Sequence, residues 1–295
     1  MSTPRAVVVR RRTEYDELLA RHGTLGQAEF FLRTRGQSID PVRERHERTG
    51  AAVAAVLGAI PAEWRRAEVE RDELPRFLFE PGDVVAVVGQ DGLVANVAKY
   101  LHNQPVIGFD PLPGANPGVL VPHDPGSAAT LFAAVAAGRA RIVERTTVVA
   151  RTDDGQELRG LNEVYVGQPG HQSARYDLAW RGRSETQSSS GVIVGTGTGA
   201  TGWCASIARA SAPDAVLPSP DERGLAWFVR EAWPSPTTGT TLTAGALGAD
   251  EALRLRVSSD SLVVFADGLE ADRLLVGWGQ EVSVGVAERG LRTVA

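Results

Sequence analysis

Residues 83–101 read DVVAVVGQDGLVANVAKYL, and the fold follows from how this stretch is parsed. Pro81-Gly82 makes a turn, and Val84–Val88 then form an unbroken apolar, largely β-branched run. A run that short and without alternation predicts a strand buried on both faces, as in a parallel sheet. Gly89-Gln90-Asp91-Gly92 breaks it, and Leu93, Val97 and Leu101 recur at helical spacing. The product is strand, glycine turn, helix, with the Asp91 carboxylate at the carboxyl end of the strand. Ligands of open α/β sheets bind there, and a helix amino terminus favours phosphate. An aspartate in such a turn can equally serve only to cap the helix.

Working outward, the preceding residues alternate strand and helix. Ala6–Val9 is a short apolar strand. Thr13-Glu14-Tyr15-Asp16 has the form of a capping box, and Gly23 stands where that helix should stop. Asp40-Pro41 offers a cap and an N1 proline for another helix, with Val53, Val56, Leu57 and Ile60 as its buried face. Pro105–Phe109 is a further strand, Asp110–Gly118 a Pro/Gly-rich loop, and Ser127–Ala137 a helix. Strands separated by helices imply a parallel, doubly wound sheet.

From about Arg139 the period changes to that of strands. Ile142–Ala150, Glu163–Val166, Arg175–Trp180, Val192–Val194, Leu253–Val257, Leu262–Ala266 and Val282–Val286 are the candidates. Turns at Asp153-Asp154-Gly155, Gln168-Pro169-Gly170 and Asp267-Gly268 punctuate them. One helix is expected near Trp203–Arg209. Five prolines from Pro213 to Pro236 mark a long irregular excursion. The expected fold is therefore an α/β N-terminal domain (1–138) with a parallel, doubly wound sheet, plus a β-rich C-terminal domain (139–295).

Composition narrows the chemistry. With 43% hydrophobic and 23% charged residues, this is an ordinary globular chain. A net charge of −5 supplies no basic field for nucleic acid. The lone lysine, Lys99, lies in no G-x-x-x-x-G-K-[ST] segment, which excludes a Walker phosphate loop. Cys204 is the only cysteine, so an intrachain disulfide and a thiolate zinc site are excluded. The five histidines have no metal-ligand spacing. The first residues carry no apolar targeting segment, and no apolar stretch is long enough to cross a bilayer, so the expectation is a cytoplasmic protein without membrane partners.

Two further stretches can carry chemistry. Leu161-Asn162-Glu163-Val164 places a polar pair at the edge of an apolar strand; alone, it reads as readily as a capped strand entry. Ser188–Arg209 contains GTGTGATG, a loop of alternating Gly and Thr between a strand and a helix. Glycine there lets the backbone approach a ligand, and the hydroxyls of Thr196 and Thr198 are uncharged donors. Gly197-x-Gly199-x-x-Gly202 also matches the dinucleotide fingerprint. However, Pro213, Pro218 and Pro220 stand where a Rossmann unit should continue, which favours a different nucleotide-binding loop.

A G-x-D-G turn after a strand, L-N-E-V about seventy residues on, and then T-G-T-G-x-T-x-W together resemble the NAD kinase family. The similarity runs from about Val84 to Val286 and is nearest the divergent, mitochondrial-type branch. Asp267-Gly268 resembles that family's late strand–DG turn. The resemblance implies that Asp91 is the catalytic carboxylate, with Gly89, Gln90 and Gly92 as the turn at the donor phosphates. It implies that Asn162, Glu163, Thr201 and Ser206 hold the dinucleotide. The implied reaction moves the γ-phosphoryl group of ATP to the 2′-hydroxyl of the adenosine ribose of NAD. Mg²⁺ accompanies the ATP, no residue is assigned as a metal ligand, and the partners are small-molecule nucleotides. A homodimer or homotetramer is implied as the assembly. Gln90 replaces a glycine of the family turn, Leu93 a threonine and Ala200 a serine. A non-catalytic nucleotide-binding or regulatory protein on this scaffold, or a kinase of another hydroxyl, is thus the alternative.

Overall fold

The computed structural model describes residues 3–115 and 118–295. Of the expected Asp110–Gly118 loop, positions 116 and 117 lie outside the described residues. The chain forms two units, one up to Val143 together with Arg292–Ala295, the other Glu144–Leu291.

In the first unit, β1 (Arg5–Arg10), α1 (Glu14–His22), α2 (Leu25–Arg33), α3 (Asp40–Gly58) and β2 (Arg65–Glu70) come first. They are followed by β3 (Asp83–Val88), α4 (Asp91–Ala98), β4 (Val106–Phe109), α5 (Ala128–Ala136) and β5 (Ile142–Arg145). The capping box forms as the sequence predicts: Thr13 Oγ1 accepts from Asp16 N, and Asp16 Oδ2 accepts from Thr13 N. Gly23 ends α1 at φ +76°. Asp40 lies inside α3 rather than capping it, since Ile39 holds the cap position.

Within the six-stranded sheet, β1 pairs in parallel with β2 and β3, and β3 in parallel with β4. Val84, Ala86 and Val88 pack with Ala6 and Val8 against Ala52 and Val56 of α3 and Phe132 of α5. Val85 and Val87 point to the opposite face and are also fully buried, which explains why β3 has no polar alternation. Its first residue is the exception: Asp83 is buried but takes two bonds from Arg5, at 2.8 and 2.6 Å. The chain leaves β1 toward β2 and returns across it to β3, so the turn after β3 sits at a topological switch point.

The second unit contains β6 (Val148–Thr152), β7 (Glu157–Gly160), β8 (Glu163–Gly167), β9 (Ala174–Trp180), β10 (Arg183–Ser189) and β11 (Gly191–Thr196). After α6 (Trp203–Ser211) come β12 (Leu225–Arg230), β13 (Ala244–Leu247), β14 (Ala252–Val257), β15 (Ser261–Ala266), β16 (Leu269–Gly277) and β17 (Glu281–Val286). They form two antiparallel sheets, β10-β9-β14-β17-β6-β7 and β13-β12-β11-β8-β15-β16. Val192 and Val194 of β11 and Leu225, Trp227 and Val229 of β12 point between the sheets into a common core. Alternating with them, Ile193, Ala226 and Phe228 face outward and pack with Cys204 and Ala208 of α6.

The final strand, β18 (Leu291–Val294), pairs in parallel with β4. The sequence reading placed all of 139–295 with the β-rich part. Instead β5 and β18 complete the first sheet, and a four-residue strand of mixed polarity (IVER, LRTV) carries no local signal of which sheet it will join. The proline-rich excursion is likewise not wholly irregular. It contains β12, an interior strand whose Trp227 is fully buried.

Candidate functional site

Of the turn residues after β3, Gly89 donates its N–H to Phe109 O at 3.0 Å, tying the turn to β4. A Cβ on Gly89 would meet the end of the Leu93 side chain at 2.9 Å, whereas one on Gly92 would stand in open space. Gln90 occupies the cap position of α4 without a side-chain capping bond, and its side chain is exposed with no hydrogen-bond partner among the described residues. Asp91 is half-buried, and its carboxylate receives two backbone donors: Leu120 N at 2.8 Å on Oδ1 and Val119 N at 3.1 Å on Oδ2. Sequence reasoning did not find this attachment, because a backbone donor leaves no side-chain signature. Each carboxylate oxygen retains a second lone pair for a ligand.

The second cluster is built where β8 begins and β11 ends. Asp267, at φ +53°, is the residue around which it is arranged. Its carboxylate accepts from Leu161 N at 2.8 Å, Asn162 N at 2.7 Å and Glu163 N at 3.2 Å. Its own N–H donates to Glu163 O at 3.1 Å. The Asp-Gly pair reads as a turn in the sequence; that its carboxylate reaches back over a hundred residues is a tertiary fact.

Asn162 O in turn accepts from Thr196 N at 2.8 Å, joining this strand entry to the Gly–Thr loop. The approach is close enough to explain two glycines. A Cβ on Gly199 would lie 2.2 Å from Asn162 O, and one on Gly197 would lie 1.9 Å from Ser219 O. Both contacts are to backbone, which cannot swing aside, so the alternation of glycine in this loop is already required by the protein's own packing.

The threonines divide into two kinds. Thr196 Oγ1 donates to Leu161 O at 2.6 Å and accepts from Thr198 N at 3.1 Å, so this buried hydroxyl holds the loop together. Thr198 Oγ1 is also buried, and it has no partner among the described residues. Thr201 and Ser206 lie on the exposed side of the loop and of α6. Thr201 Oγ1 donates to Thr198 O at 3.1 Å. Asn162 and Glu163 are half-buried, and their side chains make no hydrogen bond among the described residues. The dinucleotide fingerprint is not on a βαβ unit: β11 and β12 run antiparallel.

Electrostatics single out Glu163. Burial, with a smaller contribution from the Asp267 charge, pushes its carboxyl up to about 7. Cys204 is pushed up to about 12, first by burial and then by the Glu163 charge, so its thiol stays protonated and inert. The Glu163 carboxyl is thus protonated more readily in the folded protein than in the unfolded chain, where it titrates near 4.5. Its contribution to stability is complete below that value and is lost as pH rises through the folded-state value. The loss between pH 4.5 and 7 amounts to about 3 kcal/mol at most. Glu163→Gln should flatten this dependence. Parallel urea-midpoint profiles for the two proteins across this pH range would refute the assignment.

Among the described residues no group of three or more His, Cys, Asp or Glu side chains could hold a metal ion. No described helix is long and apolar enough to cross a membrane.

No protein-family model matches the chain, and no curated protein sequence matches it. Among solved structures it is similar to yeast NADH kinase, determined in complex with NADH, at 14% identity and a TM-score of 0.62. The match covers 100% of this chain and 84% of that one. Identity at this level speaks to architecture: the chain has an NAD kinase-like two-domain fold, an α/β sheet region joined to antiparallel β-sheets.

Proposed function

We propose that this protein is an NAD(H) kinase, transferring the γ-phosphoryl group of ATP to the 2′-hydroxyl of the adenosine ribose of NAD to make NADP. The observation carrying this reading is the gathering of unpartnered polar side chains at one junction. Backbone bonds bring Asn162 and Glu163 beside the loop that carries the buried Thr198 hydroxyl, the whole held by Asp267 and Thr196, on a fold shared with an NADH kinase. Such groups need partners, and a dinucleotide rich in hydroxyl and phosphate oxygens would supply them.

Phosphoryl transfer asks a protein mainly for positioning and for stabilisation of charge. In this reading Asp91 orients the ribose hydroxyl and accepts its proton, while the amides of Gln90–Gly92 at the α4 terminus receive donor phosphate, the Gly89 N–H being held by Phe109 O. Asn162 and Glu163 hold the dinucleotide, with Thr198, Thr201 and Ser206 as hydroxyl contacts. Thr196 acts by shaping the loop. With no carboxylate cage among the described residues, Mg²⁺ would arrive on the ATP phosphates, as is usual for an ion that keeps much of its hydration.

Incubation with ATP, Mg²⁺ and NAD should yield NADP; ATP-dependent phosphorylation of a different hydroxyl, with no NADP, would refute the acceptor. Asn162→Ala should weaken NAD binding about threefold to tenfold, the loss of one hydrogen bond. Equal affinities by calorimetry would remove Asn162 from the site.

One observation favours a second reading, a nucleotide-binding protein without turnover. Both Asp91 oxygens already receive backbone amides, and Gln90 stands where the resemblance calls for glycine. NAD binding with no NADP formed, and turnover appearing in Gln90→Gly, would establish it.

A further inference from the structure

A cavity lies between α1 and α2, formed entirely by residues that the proposed kinase chemistry does not use. Its volume is about 520 Å³, within the range of small-molecule sites, and Arg21, His22, Gln27, Phe30, Phe31 and Arg35 line it. The sequence brings them together simply. Arg21-His22 end α1, Gly23 reverses the chain, and α2 then presents Phe30 and Phe31 one turn before Arg35.

The charges here are uncompensated. Arg43 and Arg45 on the neighbouring α3 pair with Glu29 and Glu14, at 3.1 and 2.7 Å. No carboxylate lines the cavity, and among the described residues none forms an ion pair with Arg21, His22 or Arg35. The aromatic groups are arranged as well. The Phe31 ring is contacted by the His22 ring, centroids 4.3 Å apart, and by the Arg35 guanidinium at 3.7 Å. Phe30 remains 60% exposed at the rim. His22 Nε2 is buried and has no hydrogen-bond partner among the described residues. The buried ring nitrogen without a partner and the exposed aromatic face are each unfavourable, and the two exposed guanidinium groups carry no acid that would compete with an incoming anion. One kind of ligand satisfies all three.

We infer that this cavity binds an aromatic anion, with a flat ring against Phe30 and a phosphate or carboxylate against Arg21, Arg35 and His22 Nε2. Such an anion has two sources, a nucleotide or a small aromatic acid.

The test is titration of the isotope-labelled full chain, followed by the backbone amide resonances of residues 21–35. The probes are 5′-AMP, 1-naphthyl phosphate and inorganic phosphate. Saturable shifts in this segment are expected with at least one aromatic probe, at least tenfold tighter than with inorganic phosphate. AMP alone would identify a nucleotide, naphthyl phosphate an aromatic acid. Arg21→Glu with Arg35→Glu, both at exposed positions, should abolish these shifts, and Phe30→Ala should weaken binding several-fold. The inference is overturned if no probe shifts this segment at millimolar concentration, if phosphate binds as well as the aromatic probes, or if the variants bind like the native chain. Because the readout is local to α1 and α2, it is independent of whether NADP is formed.

Discussion

Asp91→Asn is expected to lower kcat for NADP formation by roughly 10²–10⁴-fold, the usual contribution of a positioned general base. NAD affinity should change little, because the groups proposed to hold the dinucleotide lie at Asn162, Glu163 and the Gly–Thr loop. The substitution also has a structural side. Asparagine keeps one acceptor oxygen, which can still receive Leu120 N, but its NH₂ group would face the Val119 N–H donor to donor. Part of any loss could therefore come from a displaced 119–120 segment. A pH profile separates the effects: losing a base removes the acidic limb of kcat, whereas a displaced loop scales the whole profile. A variant within threefold of the native kcat would remove Asp91 from the chemistry.

Asp267→Ala should be the most destabilising single substitution at the second cluster, by roughly 3–4 kcal/mol. It strips the acceptor from three successive backbone N–H groups, of which Leu161 N is in a fully buried residue. It also places alanine at φ +53°, where a Cβ without a polar group is disfavoured. Asp267→Asn tolerates that backbone and keeps one acceptor, so its cost should be intermediate. Five of the six tryptophans (Trp180, Trp203, Trp227, Trp233 and Trp278) lie in the Glu144–Leu291 unit, so fluorescence during urea unfolding reports chiefly on it. Where the alanine protein is folded, NAD binding should fall with the order Asp, Asn, Ala, since Asn162 and Glu163 lose their anchor. A stability change under about 1 kcal/mol would show that these amides find other partners.

The two clusters differ in how much of them the sequence carries. The strand–turn–helix at 83–98 is local: β-branched residues without alternation, a Gly-x-Asp-Gly break and helical spacing each point to the observed elements. Strands with a clear apolar period, such as β9, β14 and β15, were legible for the same reason. Those missed were polar or masked by context. β2 (RRAEVE) is an edge strand in a parallel backbone ladder with β1, and its polar side chains find charge partners, Glu70 meeting Arg10 at 3.0 Å and Arg12 at 3.0 Å. β10 (RSETQSS), also at an edge, hides its signal in hydroxyls such as Ser189, bonded to Tyr176 at 2.6 Å. β12 was obscured by prolines on either side.

By itself the sequence determined the succession of α/β and β-rich segments, the place of the Asp91 turn and the candidacy of Asn162, Glu163 and the Gly–Thr loop. Periodicity, turn chemistry and glycine placement act over a few residues, and so they can be read in order along the chain. Only the tertiary structure decided that Asp267 anchors residues 161–163, that Thr196 supports while Thr198 is left unpartnered, and that β18 returns to the first sheet. It also decided that burial pushes the Glu163 carboxyl up to about 7. These outcomes depend on desolvation and on hydrogen bonds between residues tens to more than a hundred positions apart, which no local pattern encodes.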